Sequence, residues 1–236
     1  MTISPFSKEK NEDKRLSQKP HWQRPILMKN NMGGEGTKKP NPVNYSAIFE
    51  GIHRGRIAIF IDGLSLFQAA SQLGIEIDYL KFLCCLTDSS RLLRAFFYTI
   101  TDISRPPSTR LRSHEKQQGF LFWMRRNGYR VVTKEFSAVD NSKKPNLNVE
   151  IAVDMITLSP YYDTAILVSG DGDLAYAVNA VTSKGARVEV VSLRTMTSDS
   201  LIDVADYFID LDSIKKYIQK DSTVGYNYRT LSNSSV

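Results

Sequence analysis

The sequence contains few of the residues from which disulfide-bonded proteins and zinc sites are built. It has 236 residues, of which only two are cysteines, Cys84 and Cys85, and three are histidines. Adjacent cysteines rarely form a structural disulfide, and two cysteines without nearby histidines do not make a zinc site. The pair is therefore predicted to be two small apolar residues of an amphipathic helix, in a reducing compartment.

Long hydrophobic runs are also missing. A helix that spans a bilayer needs about 20 consecutive apolar residues, and no segment of the chain approaches that length. The first residues, MTISPFSKEKNEDKR, are polar and lack the apolar centre of a secretory signal. We therefore expect no membrane association and a cytoplasmic location.

Glycine-rich phosphate loops are absent as well. The chain has no G-x-x-x-x-G-K and no G-x-G-x-x-G sequence, so a P-loop or a dinucleotide site is not expected. A calcium loop is disfavoured because the required ligand spacing and terminal glutamate are missing.

The positive charge of the chain lies in its N-terminal part. Residues 1–56 hold 11 Lys/Arg and 5 Asp/Glu, whereas residues 57–236 hold 20 of each. Residues 1–54 contain five prolines and no periodic pattern, and they are predicted to form a disordered basic tail that is available to protein partners. Residues 221–236 are predicted to be a flexible C-terminal tail. The sequence does not decide whether the protein forms a homo-oligomer.

Strand and helix patterns alternate between the two tails. Apolar runs predict strands at 56–62, 91–100, 129–134, 164–168 and 187–191. Helices are predicted at 64–73, 78–85, 113–127, 149–158 and 174–184, and the segments 198–205 and 208–217 complete the domain. Loops are predicted at 101–112 and 137–147. This order predicts an α/β fold over residues 55–220, a three-layer sandwich with a mostly parallel central sheet.

Aspartates follow two of these predicted strands. Asp62 ends the first strand, and Asp171 and Asp173 follow the fourth, within SGDGD at 169–173. If these strands are neighbours, three carboxylates meet at one sheet edge, where their repulsion favours a bound cation. Oxygen ligands select Mg²⁺ or Mn²⁺, which polarises a phosphodiester and activates water. The alternative is a pair of turns in which the aspartates cap helices and bind no ligand.

Two further polar residues fall on the predicted fourth helix. Asn148 is predicted at its N-cap, and Asp154 lies six residues later, about 240° further around the helix. Both cannot face one ion equally. Asn148 is therefore a weak candidate ligand. Asp154 is predicted to hold the ligands in position without touching the ion, to ligate the ion itself, or to pair with a buried cation.

Three segments together resemble the NYN domain family, which is PIN-like, in its LabA-like branch. They are FIDG at 60–63, EIAVDM at 150–155 and YDTAILVSGDGD at 162–173. The segments KQQGF at 116–120, WMRRNGY at 123–129 and MTSDSL at 196–201 are similar to cyanobacterial LabA-type proteins. The resemblance implies a PIN-like fold, a Mg²⁺ site of aspartates for RNA cleavage, and catalytic roles for Asp62, Asp171 and Asp173. It also implies a role in circadian, clock-controlled gene expression.

The sequence departs from this family pattern at two positions. The family usually has Asn three residues after the first Asp, where this chain has Ser65, and Asp at the start of the fourth helix, where this chain has Asn148. The second change removes a negative charge from the expected metal site. Two functions are thus open, a Mg²⁺-dependent ribonuclease and a regulatory protein that acts through protein or RNA contacts.

A basic segment is the candidate RNA-binding surface. Residues 105–130 carry several cations, of which Arg105, Arg110, Arg112, Lys116, Arg125 and Arg126 are predicted to contact RNA phosphates. Phe120, Trp123 and Met124 are spaced as a helix stripe, and this spacing favours a place in the core over base stacking.

Overall fold

Six parallel strands form the central sheet of the protein, and helices cover both of its faces. The computed structural model describes residues 53–88, 90–102, 107–136 and 146–221, with the backbone alone for Asp102, residues 107–114 and Phe136. The strands are β1 (Arg56–Asp62), β2 (Arg91–Asp102), β3 (Tyr129–Phe136), β4 (Thr164–Val168), β5 (Arg187–Ser192) and β6 (Tyr207–Asp210). The helices are α1 (Gly63–Leu73), α2 (Tyr79–Thr87), α3 (Pro107–Arg126), α4 (Asn148–Leu158), α5 (Ala175–Thr182), α6 (Asp199–Ile202) and α7 (Leu211–Ile218).

The order of the strands creates a switch point at the centre of the sheet. The spatial order is β3-β2-β1-β4-β5-β6, and every neighbouring pair is parallel. The chain therefore winds outward in one direction from β1 and in the other direction from β4. In doubly wound sheets a crevice opens between the two central strands at their carboxyl ends, and ligands bind there.

The strand β1 is buried on both faces, as its unbroken apolar run predicts. Ile57, Ile59 and Ile61 point into a core shared with α1, α2, α3 and α7. Ala58 and Phe60 point into the opposite core, shared with α4, α5 and α6. The predicted three-layer α/β sandwich is thus confirmed, and the sheet is entirely parallel across the described residues.

Helix ends follow the local signals in the sequence. Asp78 caps α2, accepting hydrogen bonds from the backbone N–H groups of Leu80 and Lys81. Gly74, with φ 65°, ends α1 in the left-handed conformation that glycine adopts without strain. Gly128, with φ 94°, plays the same part between α3 and β3.

Two elements differ from the sequence prediction. Helix α3 begins at Pro107, six residues before the predicted Ser113, so part of the predicted loop 101–112 is helical. Proline is favoured at the first helical position, where no N–H is required, and was misinterpreted as a loop signal. Strand β6 lies inside the closing segments and was not predicted, because four residues are too few to show a period.

Arg54 belongs to the folded domain rather than to the predicted tail. Its side chain is 1% exposed and forms an ion pair with Glu189 of β5, which is fully buried. It also donates from Nη1 to the carbonyl of Leu86 at 2.8 Å, and Arg187 binds the same carboxylate at 3.0 Å. The rest of the predicted N-terminal tail lies outside the described residues, apart from His53.

None of the helices in the described ranges combines the length and the hydrophobicity that a membrane span requires.

Candidate functional site

Asp62 ends β1 and caps α1 with one of its two carboxylate oxygens. Its Oδ1 accepts hydrogen bonds from the N–H groups of Leu64 at 3.1 Å and Ser65 at 3.3 Å. Its Oδ2 accepts instead from two hydroxyl groups, a short bond from Ser65 and one from Ser169 at 3.3 Å. The carboxylate therefore serves the helix with one oxygen and faces the switch point with the other.

Asp171 divides its oxygens in the same way. It follows β4 and caps the short 3₁₀ turn Gly172–Leu174, with Oδ1 accepting from the N–H of Asp173 at 3.0 Å. Its Oδ2 accepts from Nδ2 of Asn148 at 2.8 Å. Asn148 is the first residue of α4 and not its N-cap as predicted, since Leu147 occupies the cap. Its amide is therefore free to reach Asp171.

The hydroxyl group of Ser169 connects the two carboxylates. Its Oγ donates to Asp62 and accepts from the N–H of Asp171 at 3.2 Å. Ser169 itself is 1% exposed. Because β1 and β4 are hydrogen-bonded neighbours, this serine holds the ends of both central strands in one network. We call Asp62, Ser65, Asn148, Ser169 and Asp171 the switch-point network.

The structure brings together only part of the predicted acidic cluster. Asp62, Asp171 and Asn148 share the network, whereas the side chain of Asp173 is exposed to solvent. Within the described part of the chain, no three carboxylate, cysteine or histidine side chains are grouped so that they could hold a metal ion. The network thus offers two carboxylates and neutral oxygens, a set suited to a hard cation such as Mg²⁺ but with little charge. Asp62 and Asp171 thus combine two roles, because each caps the element that follows it and both belong to one hydrogen-bonded network.

Asp154 contacts the tyrosine beside the site. The hydroxyl of Tyr98 donates to Oδ2 of Asp154 at 2.8 Å. Tyr98 is fully buried and is the β2 partner of Asp62 in the sheet register. Burial, together with the bond to Asp154, raises the pKa of Tyr98 above its ordinary value, so the hydroxyl remains a donor. Asp154 therefore anchors a residue that flanks Asp62.

The predicted RNA-binding residues fall at two ends of the sheet. Helix α3 runs from the carboxyl end of β2 to the amino end of β3, so Arg125 and Arg126 in its last turn lie at the edge opposite the switch-point network. Lys116 is exposed on the half of α3 nearer the network. Arg105 lies outside the described residues, and Arg110 and Arg112 are described by their backbone only. Met124 is fully buried and Phe120 and Trp123 pack against the core, which confirms the predicted stripe.

Two residues of this arrangement, Ser169 and Tyr98, were not predicted from the sequence. Ser169 was read only as part of a glycine-rich turn, although its place between a buried strand and Asp171 is the signal that could have identified it. Tyr98 was read as one residue of an apolar strand. Its polar end emerges only when the pairing of β1 with β2 and the position of α4 are known.

The doubly wound parallel sheet makes this an α/β protein, with two carboxylates at the switch point where such sheets have their ligand sites. Comparison with known proteins identifies the family within this class. The chain matches the NYN domain over residues 56–212. It is 32% identical, over 174 residues, to the Low amplitude and bright protein LabA of Synechococcus elongatus, covering 70% of this chain and 88% of that protein. Its fold is also similar to the crystal structure of a protein of unknown function from Vibrio parahaemolyticus, with a TM-score of 0.58. The two sequences are 29% identical, and the match covers 72% of this chain and 99% of that one. The chain belongs to the NYN domain family, in its LabA-like branch.

Proposed function

We propose that the protein is a weak, Mg²⁺- or Mn²⁺-dependent ribonuclease whose site is the switch-point network. The observation that carries this proposal is the link from Asp62 through Ser169 to Asp171 at the carboxyl ends of adjacent central strands. Asp62 and Asp171 would hold the cation, with Asn148 as a neutral oxygen donor. A bound divalent cation would supply a Lewis acid for the phosphodiester and favour ionisation of water. The residues themselves position the strand ends and supply the negative charge.

The charge of the network limits its affinity for a cation. One pair of unit charges at about 4 Å is worth about 4 kcal/mol at an effective dielectric near 20. Because Asn148 is neutral, the network lacks the attraction to a cation that an aspartate at this position would supply. Even about a third of that energy corresponds to a tenfold change in binding. We therefore expect the network to bind a cation about tenfold or more weakly than it would with an aspartate at position 148, and to cleave slowly.

The second candidate is a regulatory protein of the LabA type that acts through protein or RNA contacts without efficient cleavage. Two hydrogen bonds favour it, from Asn148 to Asp171 and from Ser65 to Asp62. In each, a neutral side chain satisfies the oxygen that faces the switch point, so the carboxylates are accommodated without a cation. Both hydrogen bonds come from the two positions at which the sequence departs from the family pattern.

The two candidates are separated by titrating Mn²⁺ and Mg²⁺ calorimetrically into the wild type and into Asp171→Ala, followed by an RNA cleavage assay on both. Saturable binding and cleavage that are both lost in Asp171→Ala support the nuclease. The absence of binding up to millimolar cation rules the nuclease out and leaves the regulatory role. Asp173→Ala is the matched control, because Asp173 is exposed and two residues away, and we expect it to weaken binding less than Asp171→Ala.

A further inference from the structure

An apolar groove opens beside the switch-point network. It lies between α1 and α3, has a volume of about 930 Å³ and begins at Gly63, the residue after Asp62. Its floor includes Tyr79, Phe97 and Phe120, whose rings pack against one another with centroids 5.2 to 5.8 Å apart. A groove of this size and lining is large enough for an organic ligand or for several flat rings.

The wall formed by α1 presents apolar side chains to solvent. Leu64 is 41% exposed and Phe67 is 66% exposed, and both line the groove. Their spacing of three residues places them on one face of the helix. The ring of an exposed phenylalanine is in unfavourable contact with water, so a ligand that covers it is stabilised. A planar ring is the shape that stacks best on its face.

The opposite wall supplies a positive charge. Lys116 lines the groove from α3 and is exposed. At the end away from the site, Lys220 pairs with Glu76, with Nζ and Oε2 2.9 Å apart. A ligand that stacks on Phe67 therefore has an ammonium group across the groove, and the lining of the groove extends to Gly63, the neighbour of Asp62.

We propose that this groove binds the unpaired bases of single-stranded RNA and that Phe67 is a stacking, positioning residue. The proposal rests on the proposed function and specifies its substrate: a strand whose bases enter the groove while Lys116 contacts its phosphate backbone. Base stacking on an aromatic side chain tolerates any sequence, because every base has a π-face. A duplex, whose bases are already stacked, cannot enter the groove. The protein therefore prefers single-stranded RNA.

The experiment measures RNA binding without cleavage. Fluorescence anisotropy in EDTA compares labelled oligouridine with a labelled RNA duplex, on the full chain. We expect tighter binding of oligouridine, weakened about tenfold by Phe67→Ala. The matched control is Phe122→Ala, because Phe122 is a 56% exposed phenylalanine of α3 that is not part of the groove. Lys116→Gln should weaken binding and reduce its dependence on salt, whereas Arg125→Gln, at the other edge of the sheet, should do so less.

The outcomes separate this inference from the proposed function. Oligouridine binding that depends on Phe67, without cleavage or cation binding, supports the groove and overturns the nuclease. Cleavage that Phe67→Ala leaves unchanged in both KM and kcat overturns the groove and leaves the nuclease standing. Equal loss in Phe67→Ala and Phe122→Ala also overturns it. If Phe67→Ala changes the binding of a hydrophobic dye but not of RNA, the groove is an accessible apolar surface that does not bind RNA, and the proposal fails.

Discussion

Asn148 donates a hydrogen bond from its side chain to Asp171, with Nδ2 and Oδ2 2.8 Å apart, at the centre of the carboxyl edge of the sheet. An aspartate at position 148 would instead place two carboxylates within contact of each other. In the absence of a cation their repulsion would be unfavourable, whereas a divalent cation between them would be held more tightly. This one contact therefore sets the balance between a site that is stable without a cation and a site that binds one well.

Asn148→Asp should strengthen cation binding and weaken the cation-free protein. We expect the affinity for Mn²⁺ to rise about tenfold or more. The free energy of unfolding without cation should fall by about 1 to 2 kcal/mol, because a hydrogen bond to a charged group is lost and two like charges meet. Calorimetric titration and thermal unfolding with and without Mn²⁺ measure both effects.

The control for this variant is Asn146→Asp, which makes the same chemical change at an exposed position two residues earlier. It should leave both quantities nearly unchanged. If Asn148→Asp binds Mn²⁺ no better than the wild type, then residue 148 does not contribute to a cation site.

The buried pair of Arg54 and Glu189 should matter more for stability than any exposed ion pair. Glu189 is fully buried and receives both Arg54 and Arg187. Glu189→Leu leaves the guanidinium of Arg54 buried without its carboxylate, and the free energy of unfolding should fall by about 3 to 5 kcal/mol. Chemical denaturation measures the loss.

The double variant Arg54→Met with Glu189→Leu should recover much of that loss, since removing both charges removes the desolvation cost as well. For comparison, Lys215→Ala breaks the exposed pair with Asp212 and should change stability by less than about 1 kcal/mol. A double variant as unstable as the sum of its two single variants would show that the pair is not coupled.

Most of the fold follows from patterns that act over a few residues. The apolar run of β1 predicts a strand buried on both faces, and the caps Asp78 and Gly74 predict where helices begin and end. The same local signals fail where the chain uses a residue in its less common way. Pro107 starts a helix although proline usually marks a loop, and β6 is too short to have a period.

Only part of the site could be predicted from the sequence. Asp62 and Asp171 are recognisable because Asp62 ends a buried strand, Asp171 lies three residues after another, and parallel strands end at a shared edge. The direction of each side chain depends on contacts between distant segments. The exposure of Asp173, the bridge through Ser169 and the bond from Tyr98 to Asp154 all depend on the packing of β4, β2 and α4, which no local pattern specifies.

Two glycines should respond in opposite directions to substitution by alanine. A Cβ at Gly170 would lie 2.4 Å from the carbonyl oxygen of Met196 and 2.9 Å from Oγ of Ser192, so the turn that holds Asp171 would have to move. We expect a loss of about 1 to 3 kcal/mol in the free energy of unfolding together with weaker cation binding. Calorimetry and denaturant unfolding test the two effects.

Gly119 offers the matched comparison, because it lies inside α3 and a Cβ there would meet no described atom within 4 Å apart from the neighbouring backbone of the helix. Gly119→Ala should raise stability by about 0.5 to 1 kcal/mol, since alanine loses less backbone entropy in a helix. A stabilising Gly170→Ala would contradict the close approach of the two loops.

The two cysteines should differ in their reaction with an alkylating reagent. Burial, with Asp88 as the next contribution, raises the pKa of Cys85 to about 12, and its side chain is fully buried. A raised thiol pKa means less thiolate, so at pH 8 on the order of 10⁻⁴ of Cys85 is reactive. Cys84 is exposed, although partial burial and then Asp78 also raise its pKa. Iodoacetamide at pH 8 should therefore modify Cys84 first, and its rate should rise nearly tenfold per unit of pH.

Mass spectrometry after partial labelling identifies the modified residue, and labelling in denaturant should modify both cysteines. Cys84→Ser provides the control, because the native variant should then label only at the rate at which α2 opens. Equal native rates for the two thiols would mean that α2 does not hold Cys85 against the core with α1 and α7. The two cysteines of one helix thus report on whether this layer of the sandwich is closed in solution.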